Sequence, residues 1–377
     1  EGKGKIVKHY IEKEHYDWCV RFNGGPNAGH TIYLGDKKVV THQIPTGIVQ
    51  PGVKCWIAGG CVVDLDKLQD EIHELHLAGI GVGDIAERLF ISPACHLITE
   101  ENIAFDKANN AVGTTGSGIG PTYARKCFRT GKRIDYFIKK GLLKDMVFPF
   151  QFLETIPADE VASSKILLEG AQGFQLDIDW GQYPFVTACN CIAPYAMVST
   201  GLPMKSVRNI IGIAKIYETY VGSNSFQGSD PELVRLQELG QEFGATTGRK
   251  RQTNWLNLRE LAKAIATAVR DLGSEVILYG LAGSCYVEAA QSVGVKLWQE
   301  VFADRRYTSE GYLVPRAEPG ALIKDEDEAA QQFIRMASRG EVLSIDQKLV
   351  KLQADTLCIH GDGPSALAFA RKMRSLI

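Results

Sequence analysis

Trp18-Cys19-Val20-Arg21-Phe22, Asn23-Gly24-Gly25-Pro26-Asn27-Ala28-Gly29 and His30-Thr31-Ile32-Tyr33-Leu34 form an apolar run, a glycine-rich turn and a second apolar run. The two runs read as strands joined by a loop able to approach a ligand closely. Downstream, Asp64 to about Ala78 sets Leu65, Leu68, Ile72, Leu75 and Leu77 on roughly one helical face. Val161 to Glu169 ends in Ile166-Leu167-Leu168, a buried-strand signal, and turns at Gly170; Asn209 to Ile216 reads as another such strand. Strands alternating with helical stretches predict an α/β protein. From Leu261 the chain reads as a helix (Leu261, Ala264, Ile265, Ala268, Val269), a strand from Glu275 to Tyr279, a glycine turn and another helix. A last strand and turn, Thr356 to Gly363, leads into a helix from Pro364. No Pro/Gly/Ser linker separates the halves, and a division into 1–258 and 259–377 is expected from a change of motif rather than of composition.

Composition narrows the class. At 377 residues the chain has length for two or three domains. Its net charge of −2 provides no basic field for nucleic acid or an anionic membrane. No apolar run approaches the roughly 18–20 residues of a membrane span, and Glu1-Gly2-Lys3-Gly4-Lys5 carries no signal-peptide core. The nine cysteines are scattered and form no Cys-x-x-Cys, which excludes a disulfide framework or a zinc site and predicts buried thiols in a cytoplasmic enzyme.

The chemistry concentrates in glycine loops. Glu1-Gly2-Lys3-Gly4-Lys5-Ile6 precedes a helix start and combines two lysines with close-approach glycines, half of a phosphate-binding loop; the Gly-x-x-x-x-Gly-Lys-Ser/Thr spacing is not met. In Asn23–Thr31, His30 reads either as a general acid near neutral pH or as a cap on a strand end. Gly113-Thr114-Thr115-Gly116-Ser117-Gly118-Ile119-Gly120-Pro121 suits a nest of converging N–H groups, and Arg125, Lys126 and Arg129 follow either as its cations or as a solvated face. Glu169-Gly170-Ala171-Gln172-Gly173 precedes Asp177 and Asp179, a cation pair or solvated acids at a strand end. Gly244-Ala245-Thr246-Thr247-Gly248-Arg249-Lys250-Arg251 sets three cations behind a turn, a clamp for carboxylates or phosphates.

In this order the five loops, with Ile44-Pro45-Thr46-Gly47-Ile48 and Trp255-Leu256, resemble the adenylosuccinate synthetase family. The resemblance implies a P-loop-like, nucleotide-binding mixed sheet with flanking helices. It also implies a cytoplasmic homodimer that joins IMP to L-aspartate with GTP and Mg²⁺ through a 6-phosphoryl intermediate. It places Glu1, Gly2, Lys3, Gly4, Lys5, Gly29, His30, Thr31 and Arg251 at GTP, with the Gly29 carbonyl on Mg²⁺. Asn27, Ala28, Thr115, Arg129, Gln172, Thr187 and Arg249 would bind IMP, Arg129 reaching into a partner subunit. Thr246, Thr247 and Arg249 would hold aspartate; His30, Lys3 and Gln172 would carry the catalysis, His30 as general acid.

Three departures stand out. In the family motif Gly-Asp-Glu-Gly-Lys-Gly-Lys the aspartate, base and Mg²⁺ ligand, directly precedes the position of Glu1, and Ser117 stands where the family usually has arginine. The Thr-Lys-x-Asp guanine-reading segment does not appear; Val276-Ile277-Leu278-Tyr279-Gly280-Leu281 stands there without a carboxylate, which predicts near indifference between GTP and ATP. From about residue 259 the chain instead resembles the LamB/YcsF family of 5-oxoprolinase components. The strings are Leu278–Ser284, Glu300–Tyr307, Leu313–Arg316 with Pro319–Ile323, and Ile359–Asp362. That resemblance implies part of a seven-stranded β/α barrel, with Asp304, His360 and Asp362 in matching strings. It implies an alternative activity, ATP-dependent opening of 5-oxoproline with partner subunits, or a catalytically impaired fusion of the two enzymes.

Overall fold

The computed structural model describes residues 2–109, 112–142, 148–215, 217–244, 248–273, 275–316, 318–358 and 366–374. The chain divides into two compact units, Glu1–Leu256 and Asn257–Ile377.

The first unit is organised by a parallel sheet. Strands β1 (Trp18–Arg21), β4 (Lys54–Ile57), β6 (Leu89–Ile91), β8 (Gln151–Phe152) and β9 (Ile166–Glu169) lie in the order β8-β6-β4-β1-β9. All four residues of β1 are buried, as expected of a central strand covered on both faces. Alternation divides its side chains. Cys19, Cys55, Ile57, Leu89 and Ile91 join a core with Val7 and Ile11 of helix α1 (Gly2–Glu14) and Leu68, Ile72 and Leu75 of helix Leu65–Leu77. Trp18, Val20 and Trp56 face the other way onto Ile156, Leu153 and Val161. Between β1 and β4 a hairpin, β2 (His30–Leu34) with β3 (Lys37–Thr41), is antiparallel; β5 (Val62–Val63) and β7 (His96–Leu97) form a short parallel ribbon. Later, β10 (Tyr217–Tyr220) pairs antiparallel with β11 (Gln252–Trp255).

The amphipathic stretch from Asp64 is the helix expected of it, with Asp64 capping it by accepting from the Lys67 amide at 3.1 Å. Three readings of the sequence need correction. The helix at the start runs from Gly2 itself, so Gly2–Lys5 are its first turn rather than a loop ahead of it. Val161–Glu169 is not one strand: helix Ala158–Ser163 precedes β9. Asn209–Lys215 is not a strand either; Ile211 and Ile213 are 45% and 37% exposed, and the ladder forms at β10, where β11 provides a partner.

The second unit contains a three-stranded parallel sheet, β12 (Leu278–Leu281), β13 (Leu297–Phe302) and β16 (Thr356–Cys358), and an antiparallel pair, β14 (Glu341–Leu343) with β15 (Leu349–Lys351). Helices Leu258–Leu272, Cys285–Val293, Glu326–Arg339 and Ala366–Arg374 alternate with these strands as β/α units. The first helix begins at Leu258, capped by Asn257, three residues earlier than the periodicity suggested. No helix among the described residues is long and apolar enough to cross a membrane.

Candidate active site

Parallel α/β sheets gather ligands at the carboxyl ends of their strands, and the buried polar groups of the first unit collect there. Register sets Arg21, the last residue of β1, directly opposite Glu169, the last residue of β9. Both side chains are buried, at 2% and 0% exposure. Arg21 Nη1 donates to Glu169 Oε1 at 3.1 Å and Nη2 to the His42 carbonyl at 2.8 Å. His30, the first residue of β2, is 1% exposed; its Nδ1 contacts the same Oε1 and lies 2.9 Å from Arg21 Nη1. Thr46 donates twice to the carboxylate, from its amide to Oε2 and its hydroxyl to Oε1, each at 2.7 Å.

The electrostatics follow from this enclosure. Burial, with the Arg21 guanidinium beside it, lowers the His30 pKa to about 4 despite the opposing pull of Glu169. Burial raises the Glu169 carboxyl, yet His30, Arg21 and Thr46 together bring it down to about 2. Near neutral pH the cluster is therefore one guanidinium, one carboxylate and one neutral imidazole. A neutral imidazole retains one N–H, so a general-acid role for His30 would use that single proton.

Beside the cluster three expected site residues meet. The Lys3 ammonium donates to the Gln172 carbonyl, and Gln172 Nε2 donates to Asn27 Oδ1 at 3.1 Å. The charge of Lys3 also bears on His30. Gln172 adopts φ +58°, and its turn is held by Asn23, whose amide accepts from the Ala171 N–H at 2.7 Å and donates to the Ala171 carbonyl at 3.2 Å. Gly4 explains how α1 reaches the site: a Cβ there would come within 2.9 Å of the Thr31 carbonyl oxygen. The N-terminal turn of α1 thus rests against the start of β2, which follows the loop carrying Ala28 and the buried Gly29. Lys5 does not converge with Lys3; it is exposed, with its ammonium over the Tyr33 ring at 5.5 Å.

A second grouping joins the third and fifth glycine loops. Arg249 donates from Nη1 to the carbonyls of Gly113 and Thr114, at 3.1 and 3.0 Å, and from Nη2 to Gly113 at 3.0 Å, one residue from Thr115. The expected nest is partly filled from within. Buried Asp106 accepts from the Gly118 amide at 2.8 Å and from the Thr114 hydroxyl at 3.0 Å, so a side-chain anion already occupies part of it. Ser117 accepts from the Thr115 hydroxyl at 3.1 Å. Thr246 and Thr247 lie outside the described residues, as does Glu1.

The remaining candidates resolve separately. Asp177 is 0% exposed and accepts from the amides of Asp179 and Trp180 and from Asn190 Nδ2, so it organises its loop instead of holding a cation or facing solvent. Thr187 sits in that loop, its amide donating to the Leu176 carbonyl at 2.8 Å. Arg251 is buried against Glu242 at 2.7 Å, beside Lys215. Arg129 caps helix Ile119–Phe128 at φ +63°, with its side chain exposed. In the second unit Asp304 is buried, while His360 and Asp362 lie outside the described residues. The residues that sequence reasoning passed over are Arg21, Asn23 and Asp106, and it gave Glu169 no role.

Magnesium is a family expectation. The described residues hold no group of three or more His, Cys, Asp or Glu side chains able to bind a metal ion, and Mg²⁺ is generally held by one or two carboxylates together with substrate phosphates and water rather than by a protein cage.

Comparison with known proteins agrees with this geometry. The adenylosuccinate synthetase family model matches residues 1–150 and 150–272, and the LamB/YcsF family model matches 253–377. Adenylosuccinate synthetase of Ralstonia pickettii is 38% identical over 320 residues, covering 70% of each chain. Two solved structures share the fold. The fully ligated adenylosuccinate synthetase of Plasmodium falciparum has a TM-score of 0.59 at 23% identity, over 84% of this chain and 81% of that one. The succinoaminodeoxyadenylate synthetase of cyanophage S-2L has a TM-score of 0.56 at 20% identity, over 98% and 95%. The chain belongs to the adenylosuccinate synthetase family: it is a ligase of the adenylosuccinate synthase type, continued by a segment similar to LamB/YcsF proteins.

Proposed function

We propose that this chain condenses IMP with L-aspartate at the expense of GTP, forming adenylosuccinate. The observation that carries the proposal is the convergence of Lys3, Asn27 and Gln172 beside the His30–Glu169 cluster, at the carboxyl edge of the parallel sheet. GTP would phosphorylate the purine 6-oxygen, and the aspartate amine would then displace that phosphate. Phosphoryl transfer asks the protein mainly for positioning and charge neutralisation. Lys3 would neutralise the transferred group, the amides of Asn27 and Gln172 would orient IMP, and the first turn of α1 would direct N–H groups at the triphosphate. Thr115, Arg129 and Thr187 would complete the IMP site, and Arg249 with Thr246 and Thr247 would take the aspartate carboxylates.

The nucleotide base would be read loosely. In the sequence, Val276–Leu281 stands where the family carries its guanine-reading Thr-Lys-x-Asp segment and has no carboxylate to pair with the guanine N1–H and amine, and rejection of a wrong base depends on leaving buried polar groups unpaired. The cyanophage relative of this fold is bound to dGMP and dATP. ATP would therefore serve nearly as well as GTP. An ATP-dependent opening of 5-oxoproline is the second reading, favoured by the LamB/YcsF match over 253–377. The test is adenylosuccinate formation from IMP, aspartate and Mg²⁺ with either triphosphate, run beside 5-oxoproline with ATP.

A further inference from the structure

The buried carboxylate at the end of β9 joins three parts of the site. Glu169 Oε1 meets His30 Nδ1, Arg21 Nη1 and the Thr46 hydroxyl, and Oε2 meets the Thr46 amide and, at 3.4 Å, Cys19 Sγ. These contacts come from β1, from the start of β2 and from the Ile44–Gly47 turn, and they converge on one side chain with no exposure. Two neighbours compete for His30 Nδ1. Arg21 Nη1 can only donate, and already has Glu169 Oε1 as an acceptor. A carboxylate oxygen can only accept, so a bare Nδ1 lone pair against it would be repulsive. The proton therefore sits on Nδ1 and faces Glu169, leaving Nε2 as the lone-pair nitrogen.

We infer that Glu169 is a positioning residue for His30, fixing the ring's orientation and its Nδ1–H tautomer, while Arg21 and Thr46 hold the carboxylate in place. This deepens, and rests on, the reading of the site as the ligase centre. A ring held by a carboxylate at one nitrogen presents the other in a single orientation, and loss of such a partner costs catalysis through the wrong tautomer rather than through binding.

The test has two independent readouts. In ¹⁵N-histidine-labelled native protein, the His30 ring resonances, identified by their loss in His30→Asn, should show the Nδ1–H tautomer. An Nε2–H pattern overturns the inference without any variant having to fold. In Glu169→Gln the tautomer should shift toward Nε2–H and kcat should fall on the order of 10²-fold, with KM values for IMP and aspartate within about 3-fold. Thr46→Val keeps every charge in place, and should lower kcat in the same direction by a smaller factor. Unchanged tautomer and kcat in Glu169→Gln contradict the assignment. Native protein that makes no adenylosuccinate contradicts the ligase reading instead, and the tautomer measurement still decides the role of Glu169.

Discussion

Arg249 shows most clearly what one residue does by geometry rather than by charge. Its guanidinium spans two carbonyls of the 113–114 turn with two nitrogens, a fork a lysine ammonium cannot reproduce. Arg249→Lys should therefore loosen the turn beside Thr115 and raise the aspartate KM about 10-fold or more, with the GTP KM moving far less; steady-state kinetics with each substrate varied checks this, and equal changes in both contradict the assignment. The basic character of Arg249-Lys250-Arg251 was legible in the sequence, but the division of labour was not. Arg251 turns to a buried pair with Glu242, a partner nine residues back, while Arg249 reaches a turn more than a hundred residues earlier. The Arg21–Glu169 pair escaped for a related reason. Each stands at or next to the end of an apolar run, where a charge reads as a strand terminus, and only the β1/β9 register brings them face to face.

Among the elements, those with a local signal were readable. Helix Leu65–Leu77 follows from its apolar stripe and its Asp64 cap, and β1 from its apolar run. Where the outcome depends on a partner, as at Asn209–Lys215, the apolar pattern alone misled. Helix Leu65–Leu77 also carries Glu71, which accepts from the amides of His42 at 2.7 Å, Gln43 at 3.0 Å and Ile44 at 3.1 Å, tying the helix to the turn after β3. Burial lifts this carboxyl to about 7 from 4.5, against the pull of those amides. Between these values the folded protein holds a proton that the unfolded chain releases. Stability from this group is thus fully present at low pH, is lost as pH rises from about 4.5 to about 7, and is flat above; the loss amounts to as much as about 3 kcal/mol. Urea denaturation at pH 5 and pH 8 should show native protein losing stability relative to Glu71→Gln across that interval. Parallel behaviour of the two would show that Glu71 contributes none of the pH dependence.

At the scale of the whole molecule, the proposed function would have the exposed Arg129 at the end of helix Ile119–Phe128 reach the IMP site of a partner copy. Mixing Arg129→Ala with Lys3→Ala, each inactive alone, should restore up to roughly a quarter of native activity, because random pairing leaves one intact site in half of the dimers; no recovery at any ratio contradicts a shared site. Every role assigned to these residues depends on the ligation itself, which is measured in purified chain supplied with IMP, L-aspartate, Mg²⁺ and a triphosphate. The predicted result is adenylosuccinate in a yield that requires all three substrates, with GTP and ATP supporting rates within about 10-fold of each other. No adenylosuccinate with either triphosphate, together with glutamate release from 5-oxoproline and ATP, would contradict it.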